Sequence, residues 1–422
     1  MYINRNIQDY IKKSKNNYPS ITLYGARQVG KSTMLQHIFP DFRYISLDNL
    51  EDRDLANTNP KLFLENYGTK IIIDEIQKST NLIDQIKNEI DKYKNDCLKN
   101  NKNIELLYIL SGSNKFELEK SVSESLAGRT DIINLTSLAF SEIYKNKNHS
   151  FFNPDINVLK EKEKNNKLIY RSRKKIFNDI YKGGMPELFS LKTPSDKYFS
   201  NYINTYIQKD ISNSIRNNNV TTFMKFLRLI ALRTAQEFNA SDIASSIGVD
   251  VKTIESWTNL LNKSGIIFIL EPYMKNKNKS IIKAPKIYFM DTGLCSWLAK
   301  FPNAEMLENS TFAGAFFETY VVSEIVKSFY NDGIDPKNNN ICNLYYYRDK
   351  YQKEIDLIME TINGIYPIEI KKGLNPLNAT KNFMALNKYG VKINNCLVID
   401  SRENILKIND NTYYCPISLI GY

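Results

Sequence analysis

Residues 21–32 read ITLYGARQVGKS and continue into STMLQHIF, residues 32–39. Four residues of strand type, three of them apolar, end in Gly25, and residues 25–32 satisfy the pattern G-x-x-x-x-G-K-[ST] without departure. The spacing has a chemical reason. Gly25 and Gly30 let the chain turn its amides toward one anion, with Ala26, Gln28 and Val29 supplying the backbone between them. A helix starting at Lys31 would point its positive end at the same anion. Lys31 would then reach the β- and γ-phosphates of a nucleoside triphosphate, Ser32 would ligate Mg²⁺, and Thr33 would follow in the first turn. The expected cofactors are ATP and Mg²⁺.

Working outward, residues 70–73 (KIII) read as a second strand ending in Asp74-Glu75. Asp74 is placed to hold Mg²⁺ and Glu75 to orient or deprotonate an attacking water. The plainer reading is that both acids cap the next helix. Residues 106–110 (LLYIL) make a third strand ending at Ser111, so Ser111, Ser113 and Asn114 are candidates to sense the γ-phosphate. Arg129 in SLAGRT reads equally as an arginine finger or a surface arginine. Strands alternating with helices predict a parallel α/β sheet with its ligand at the carboxyl edge.

After Tyr144 the character changes. Residues 145–175 are polar and basic, and the next helical stretch is interrupted by Gly183-Gly184 and Pro186. Residues 222–236 form an apolar-periodic helix, and NASDIASSIGVDVKTIESWTNLLNKSG (239–265) follows. Helix, glycine turn, helix and then strands near 266–270 and 286–290 is the order of a winged helix. Lys252, Thr253, Ser256 and Asn259 are its outward candidates for DNA, with Lys275, Lys277 and Lys279 on the wing. Asp250 and Glu255 weigh against contact with a polyanion.

The last stretch has a helix at 312–330 and strands near 344–347, 354–360, 366–370 and 396–399. Glu318 lies on the helix, Asp356 in KEIDLIME, and Glu369 and Lys371 in PIEIKKG. Residues two apart on a strand share a face, so Glu369 and Lys371 point together. Asp356 and Glu369 can hold a metal while Lys371 steadies charge on phosphate. D-x(n)-E-x-K is a loose pattern in a lysine-rich chain, and a binding platform that has lost cleavage is the competing reading. Tyr345, Tyr346, Tyr347, Arg348 and Lys350 add basic and aromatic groups nearby.

The chain has 422 residues, 42% hydrophobic and 24% charged, which excludes collagen and a disordered tail and points to several domains. Fifty-seven basic against forty-six acidic residues, a net +11, favour a polyanionic partner, although lysine and asparagine are abundant throughout. No apolar run approaches the ~18 residues of a membrane span. Five scattered cysteines with no CxxC pair fit a cytoplasmic protein.

The order LYGARQVGKSTML, IIIDEIQKS, LSGSNKFELEKSVSESLAGR, GGMPEL, KIYFMDTGLCSWL, FFETYVVSEIVK, YYYRDKYQKEIDLIM and PIEIKKG resembles the prokaryotic AAA-type ATPases with a winged helix and a C-terminal PD-(D/E)xK nuclease-like domain of unknown function. The resemblance implies a P-loop NTPase (AAA-like) core at 1–145, a helical lid at 146–218, a winged helix at 219–302 and a restriction-endonuclease-like α/β domain at 303–422. It implies nucleotide roles for Lys31, Ser32, Asp74 and Glu75 and metal-site roles for Glu318, Asp356, Glu369 and Lys371. Gly183, Gly184 and Pro186 match a lid motif of related signalling ATPases. Two activities stay open: an ATPase that binds and processes DNA, with hydrolysis controlling the nuclease-like end, or a nucleotide-dependent switch or scaffold whose last domain only binds a partner. DNA and further copies of the chain are the expected partners, with no membrane.

Overall fold

The computed structural model describes residues 2–113, 122, 125–146, 149–165, 170–191, 193–206, 220–274, 284–337, 339–374 and 378–421. After α1 (Ile7–Ser14) comes β1 (Ser20–Tyr24), buried at every position. Then follow α2 (Lys31–Ile38), β2 (Arg43–Ser46), α3 (Leu50–Thr58), α4 (Pro60–Tyr67), β3 (Ile71–Asp74), α5 (Thr80–Lys99), β4 (Tyr108–Gly112) and β5 (Thr130–Asn134). The five strands are parallel in the order β2-β3-β4-β1-β5. β1 thus has two neighbours, and the strand order reverses around it, which opens a crevice at its carboxyl end. β2 and β5 were not expected. They are short and partly exposed, and Arg43 and Asp131 break their apolar pattern.

A run of helices follows: α6 (Phe140–Ile143), α7 (Ile156–Asn165), α8 (Arg173–Lys182), α9 (Glu187–Ser190) and α10 (Ser195–Tyr206). Then α11 (Val220–Leu232) packs on α12 (Ala240–Ile247) and α13 (Val251–Lys263). Asn239 and Asp250 cap α12 and α13 by accepting from Asp242 N and Thr253 N. β6 (Ile267–Leu270) and β7 (Lys286–Phe289) pair antiparallel. Lys275, Lys277 and Lys279 lie outside the described residues.

After α14 (Thr292–Leu298) and α15 (Ala304–Glu308) comes α16 (Ala313–Asn331). The remaining strands are β8 (Cys342–Arg348), β9 (Glu354–Thr361), β10 (Gly364–Ile370), β11 (Cys396–Asp400), β12 (Leu406–Asn409) and β13 (Thr412–Pro416). They form a mixed sheet in the order β12-β13-β11-β10-β9-β8. β12 and β13 escaped the sequence reading, because β12 is a polar edge strand with no buried residue.

α16 is buried on nearly every side, as an apolar helix with no polar face must be. Glu324 accepts a hydrogen bond from Phe140 N at 2.6 Å, and Lys327 donates to Leu138 O at 3.2 Å. Thr319 meets Thr234 of the segment after α11 at 2.8 Å. The Tyr320 hydroxyl accepts from the buried Arg171 at 3.0 Å. One helix therefore touches the first sheet's exit loop, the polar stretch before α8 and the α11 segment. Among the described residues no helix is long and apolar enough to cross a membrane.

Candidate functional sites

The first site lies where β1 ends. Gly30 sits at φ 92, a left-handed conformation that a side chain would strain, and it opens α2. Lys31 is buried and folded back on the loop, donating to Gly25 O at 2.8 Å and Ala26 O at 3.0 Å. Asp74 at the end of β3 is paired in register with Ser111 at the end of β4. Its carboxylate accepts from Ser111 Oγ (2.6 Å), Tyr44 OH (2.6 Å) and Ser32 Oγ (2.7 Å). Burial alone would raise its pKa, but these three hydroxyls and the nearby Lys31 charge outweigh it and hold the acid below its usual range. Glu75 follows with φ 56; Gln77 donates to it, and Ser113 Oγ reaches it at 3.4 Å. Asn114 lies outside the described residues.

Gly30, Lys31, Ser32, Asp74, Glu75 and Ser113 wall a cleft of about 560 Å³ that Gln28, Val29, Thr33, Leu138 and Pro186 also line, with Gly25, Ala26 and Ser111 behind its wall. Hydroxyls and a carboxylate at the end of a phosphate-cradling loop are hard oxygen donors, so Ser32 and Asp74 fit Mg²⁺. Of the Gly183–Pro186 segment, Pro186 lines the cleft. Gly184 O accepts from Leu138 N at 2.8 Å, and Gly184 N donates to Asp291 Oδ2 at 2.9 Å. A Cβ on Gly184 would stand 2.3 Å from Leu138 O, so only glycine fits.

The sequence reading missed several contributors to this site, the N-terminal arm among them. Tyr2 and Ile3 line the cleft. Arg5 is buried and donates to Val29 O (2.8 Å), Thr136 O (2.8 Å) and Glu142 Oε1 (3.1 Å). No local signal marks Arg5, since its carboxylate partner lies 137 positions away.

Arg129 stands away from the cleft of its own chain. It precedes β5, at the amino edge of the sheet beside Ser20, whose hydroxyl donates to Arg129 O at 3.0 Å. The loop at Gly25 lies at the other end of β1, some ~13 Å along the strand. The guanidinium instead grips Asp91 of α5 through Nε (2.6 Å) and Nη2 (2.9 Å). Arg129 cannot reach the cleft of its own chain.

The second site lies on the β9–β10 hairpin. Leu357 pairs with Ile368, which sets Asp356 beside Glu369. Lys371 Nζ lies 2.6 Å from Glu369 Oε1 and 3.4 Å from Asp356 Oδ2. Ile370 N donates to Asp356 Oδ2 at 2.8 Å. Glu369 Oε2 is buried with no hydrogen-bond partner among the described residues. Burial, helped by the Asp356 charge and opposed by Lys371, pushes the Glu369 carboxyl up to about 8. A buried carboxylate oxygen without a donor beside a second carboxylate is a place where Mg²⁺ or Mn²⁺ fits.

Glu318 does not join that pair, which corrects the expectation of a three-acid site. Its Oε1 accepts from Lys286 Nζ (2.9 Å) and Tyr288 OH (2.7 Å), both on β7. Among the described residues no three acids, histidines or cysteines converge as a metal cage. Lys286 was not singled out in the sequence, because a lysine opening a short strand reads as a solvated end.

Comparison with known proteins adds the following. Residues 17–144 match a family model described as an AAA domain. Residues 173–305 and 313–420 match two models, each described as a domain of unknown function. An uncharacterized protein of Mycobacterium tuberculosis (strain ATCC 25618 / H37Rv) is 23% identical over 371 residues, covering 87% of this chain and 73% of that one. An uncharacterized protein of Mycobacterium bovis matches to the same extent. Among solved structures, a Walker-type ATPase of Pyrococcus abyssi covers 69% of this chain and 94% of its own at 14% identity and TM-score 0.39. The ORC2 protein of Aeropyrum pernix, in ADPNP–ADP complexes, covers 62% and 86% at 12% identity and TM-score 0.32. Likenesses this distant carry no weight beside the chain's own sheet, loop and side chains. Residues 17–144 are an AAA-type, nucleotide-binding ATPase unit.

Proposed function

We propose that this AAA-type ATPase is Mg²⁺-dependent and binds and processes DNA, with hydrolysis controlling a nuclease-like centre on the β9–β10 hairpin. The observation that carries the reading is Asp356 and Glu369 meeting around Lys371, with one buried carboxylate oxygen unpartnered, on a chain that also holds the β1 cleft.

In the cleft, Lys31 turns from the Gly25 and Ala26 carbonyls to the phosphates when they arrive. Ser32 and Asp74 are the residues that would hold Mg²⁺, which supplies charge neutralisation at the β- and γ-phosphates. Glu75 orients the attacking water, and Ser111 keeps Asp74 ionised and aimed. The loop residues Gly25, Ala26, Gln28, Val29 and Gly30 offer backbone amides, and Thr33 extends the helix start. On the hairpin, Asp356 and Glu369 would hold the cation, which would supply positive charge beside a phosphodiester. Lys371 steadies the charge that develops there. The helices α11 to α13 with the β6–β7 pair serve as the winged helix that presents DNA.

A second reading, a nucleotide-dependent switch or scaffold, is favoured by one observation. Lys371 and Lys286 already neutralise acids at the second site. ATP hydrolysis and DNA cleavage by wild type, Lys31→Ala and Asp356→Ala, with single-stranded, double-stranded and no DNA, separate the two. Cleavage lost in Asp356→Ala, and changed in Lys31→Ala together with hydrolysis, supports the hydrolysis-controlled nuclease. Cleavage that survives Asp356→Ala, or no cleavage by wild type with Mg²⁺ or Mn²⁺, leaves only the switch.

A further inference from the structure

We infer that Lys286 is a built-in cation of the hairpin centre. Its ammonium fills the place between Glu318 and Glu354 that a second metal would take, so the centre accepts one divalent cation, at Asp356 and Glu369. This rests on the reading of Asp356 and Glu369 as a cation site.

Lys286 opens β7, yet its side chain is only 1% exposed. It lies 2.9 Å from Glu318 Oε1 and 2.6 Å from Glu354 Oε1, with the Tyr346 ring 5.5 Å away. Glu318 receives a further hydrogen bond from the Tyr288 hydroxyl. One ammonium therefore bridges an acid from α16 and an acid from β9. Glu354 precedes Asp356 by two residues on β9, and the Asp356 charge acts on both Glu318 and Lys286.

The lysine is fixed from its backbone outward. Lys286 pairs with Leu270 across β6–β7 and forms a bridge with Glu237 on its other side. The same segment is tied to the second sheet, since Tyr273 N donates to Tyr346 O at 2.6 Å and Tyr346 N to Glu271 O at 3.1 Å. The ammonium is thus delivered by a strand outside the hairpin, at a fixed position.

Charge explains why it is there. Glu318, Glu354, Asp356 and Glu369 are four acids. Lys286 and Lys371 face them, while Arg348 Nη1, 3.6 Å from Glu354, pairs more closely with Glu237 at 2.8 Å. The acids outnumber the cations that face them, and the bare Oε2 of Glu369 is where no donor among the described residues meets the excess. Two-metal phosphodiesterases clamp both the attacking and the leaving oxygen with cations ~3.5–4 Å apart. An ammonium can supply the second positive charge, but it has no open coordination position and cannot activate a water. Its oxygens stand at hydrogen-bond distance, where Mg²⁺ would draw them to ~2.0–2.1 Å. Lys286 is a positioning residue, and Glu318 is its partner rather than a metal ligand.

The test is Mn²⁺ binding to the full chain carrying Asp74→Asn, which removes the carboxylate that would hold the cleft's cation. Free Mn²⁺ is followed by electron paramagnetic resonance and bound Mn²⁺ by calorimetry. One Mn²⁺ per chain is expected, lost when Asp356→Asn is added. Lys286→Met is expected to bind two. Two ions in the Asp74→Asn parent, or one ion in a folded Lys286→Met, overturns the inference while leaving the cation site. No ion at all overturns the site itself. If Lys286→Met does not fold, the isosteric Glu318→Gln decides. Mn²⁺ affinity within threefold of the parent supports Lys286 as the partner of Glu318, and a loss of tenfold or more overturns it.

Discussion

The β1 cleft and the β9–β10 hairpin both gather acids, but they differ in what already stands beside them. Asp74 is met by three hydroxyls, and an open cleft lies in front of it. Asp356 and Glu369 are met by an ammonium in a packed environment. A hydroxyl can share its carboxylate with an arriving cation and leave no charge stranded. An ammonium must move aside or be compensated. The first site is ready to load, whereas the second is held nearly neutral until something changes around it.

The sharpest break of this contrast is Lys31→Ala. ATP hydrolysis should fall on the order of 10²–10³-fold, as when a charge-stabilising donor is removed from an active site. Mn²⁺ binding at the hairpin should not change. A loss of both would mean the two sites are not separate.

Next is the buried Arg5. Arg5→Ala leaves the buried Glu142 without its cation, held only by the Asn6 and Ala139 amides, and frees the Val29 carbonyl, which should cost about 3 kcal/mol in denaturant unfolding. A cost under 1 kcal/mol would mean the N-terminal arm does not brace the loop.

The pH response should have opposite signs at the two sites. Glu369 has a folded pKa of about 8, above its ordinary 4.5, so the folded state binds more protons than the unfolded one between those values. That group's contribution to stability falls as pH rises from about 4.5 to 8. Asp74 is lowered, so its contribution is present above the ordinary range near 4 and is lost as pH falls below it. In a chelator, the Tm of wild type should drop by a few °C more than that of Glu369→Gln between pH 5 and 8. Parallel slopes would count against a proton-holding Glu369.

The smallest effect is expected at Arg129. Its pair with Asp91 is partly exposed, so Arg129→Ala should cost about 0.2–1 kcal/mol. ATPase of dilute monomer should be unchanged. A fall that appears only as protein concentration rises would place the guanidinium in a neighbouring chain's cleft.

What could be read from the sequence follows the range of the signals. The loop at residues 25–32 is contiguous, and Asp74 follows three isoleucines, so both stand out locally. Glu369 and Lys371 follow from strand alternation, and Asp356 from an apolar run one hairpin away. Tyr44, Arg5 and Lys286 act through partners 30, 137 and 32 positions distant, and no short window holds both members of such a pair. β2, β5 and β12 escaped because edge strands carry polar residues on at least one face. Glu318 misled for the same reason as Lys286: its position on the helix was legible, but not the strand that claims it.

α16 belongs to no single neighbour, and that bears on how such a chain can evolve. A recombination break near residue 303 would part the helix from the Thr234, Arg171, Leu138 and Phe140 groups that Thr319, Tyr320, Lys327 and Glu324 meet. The piece left behind would lose the acid that holds Phe140 N and the lysine on Leu138 O. Neither fragment would inherit a finished surface. The two ends of this protein are therefore expected to travel through genomes as a linked pair, and to diverge together.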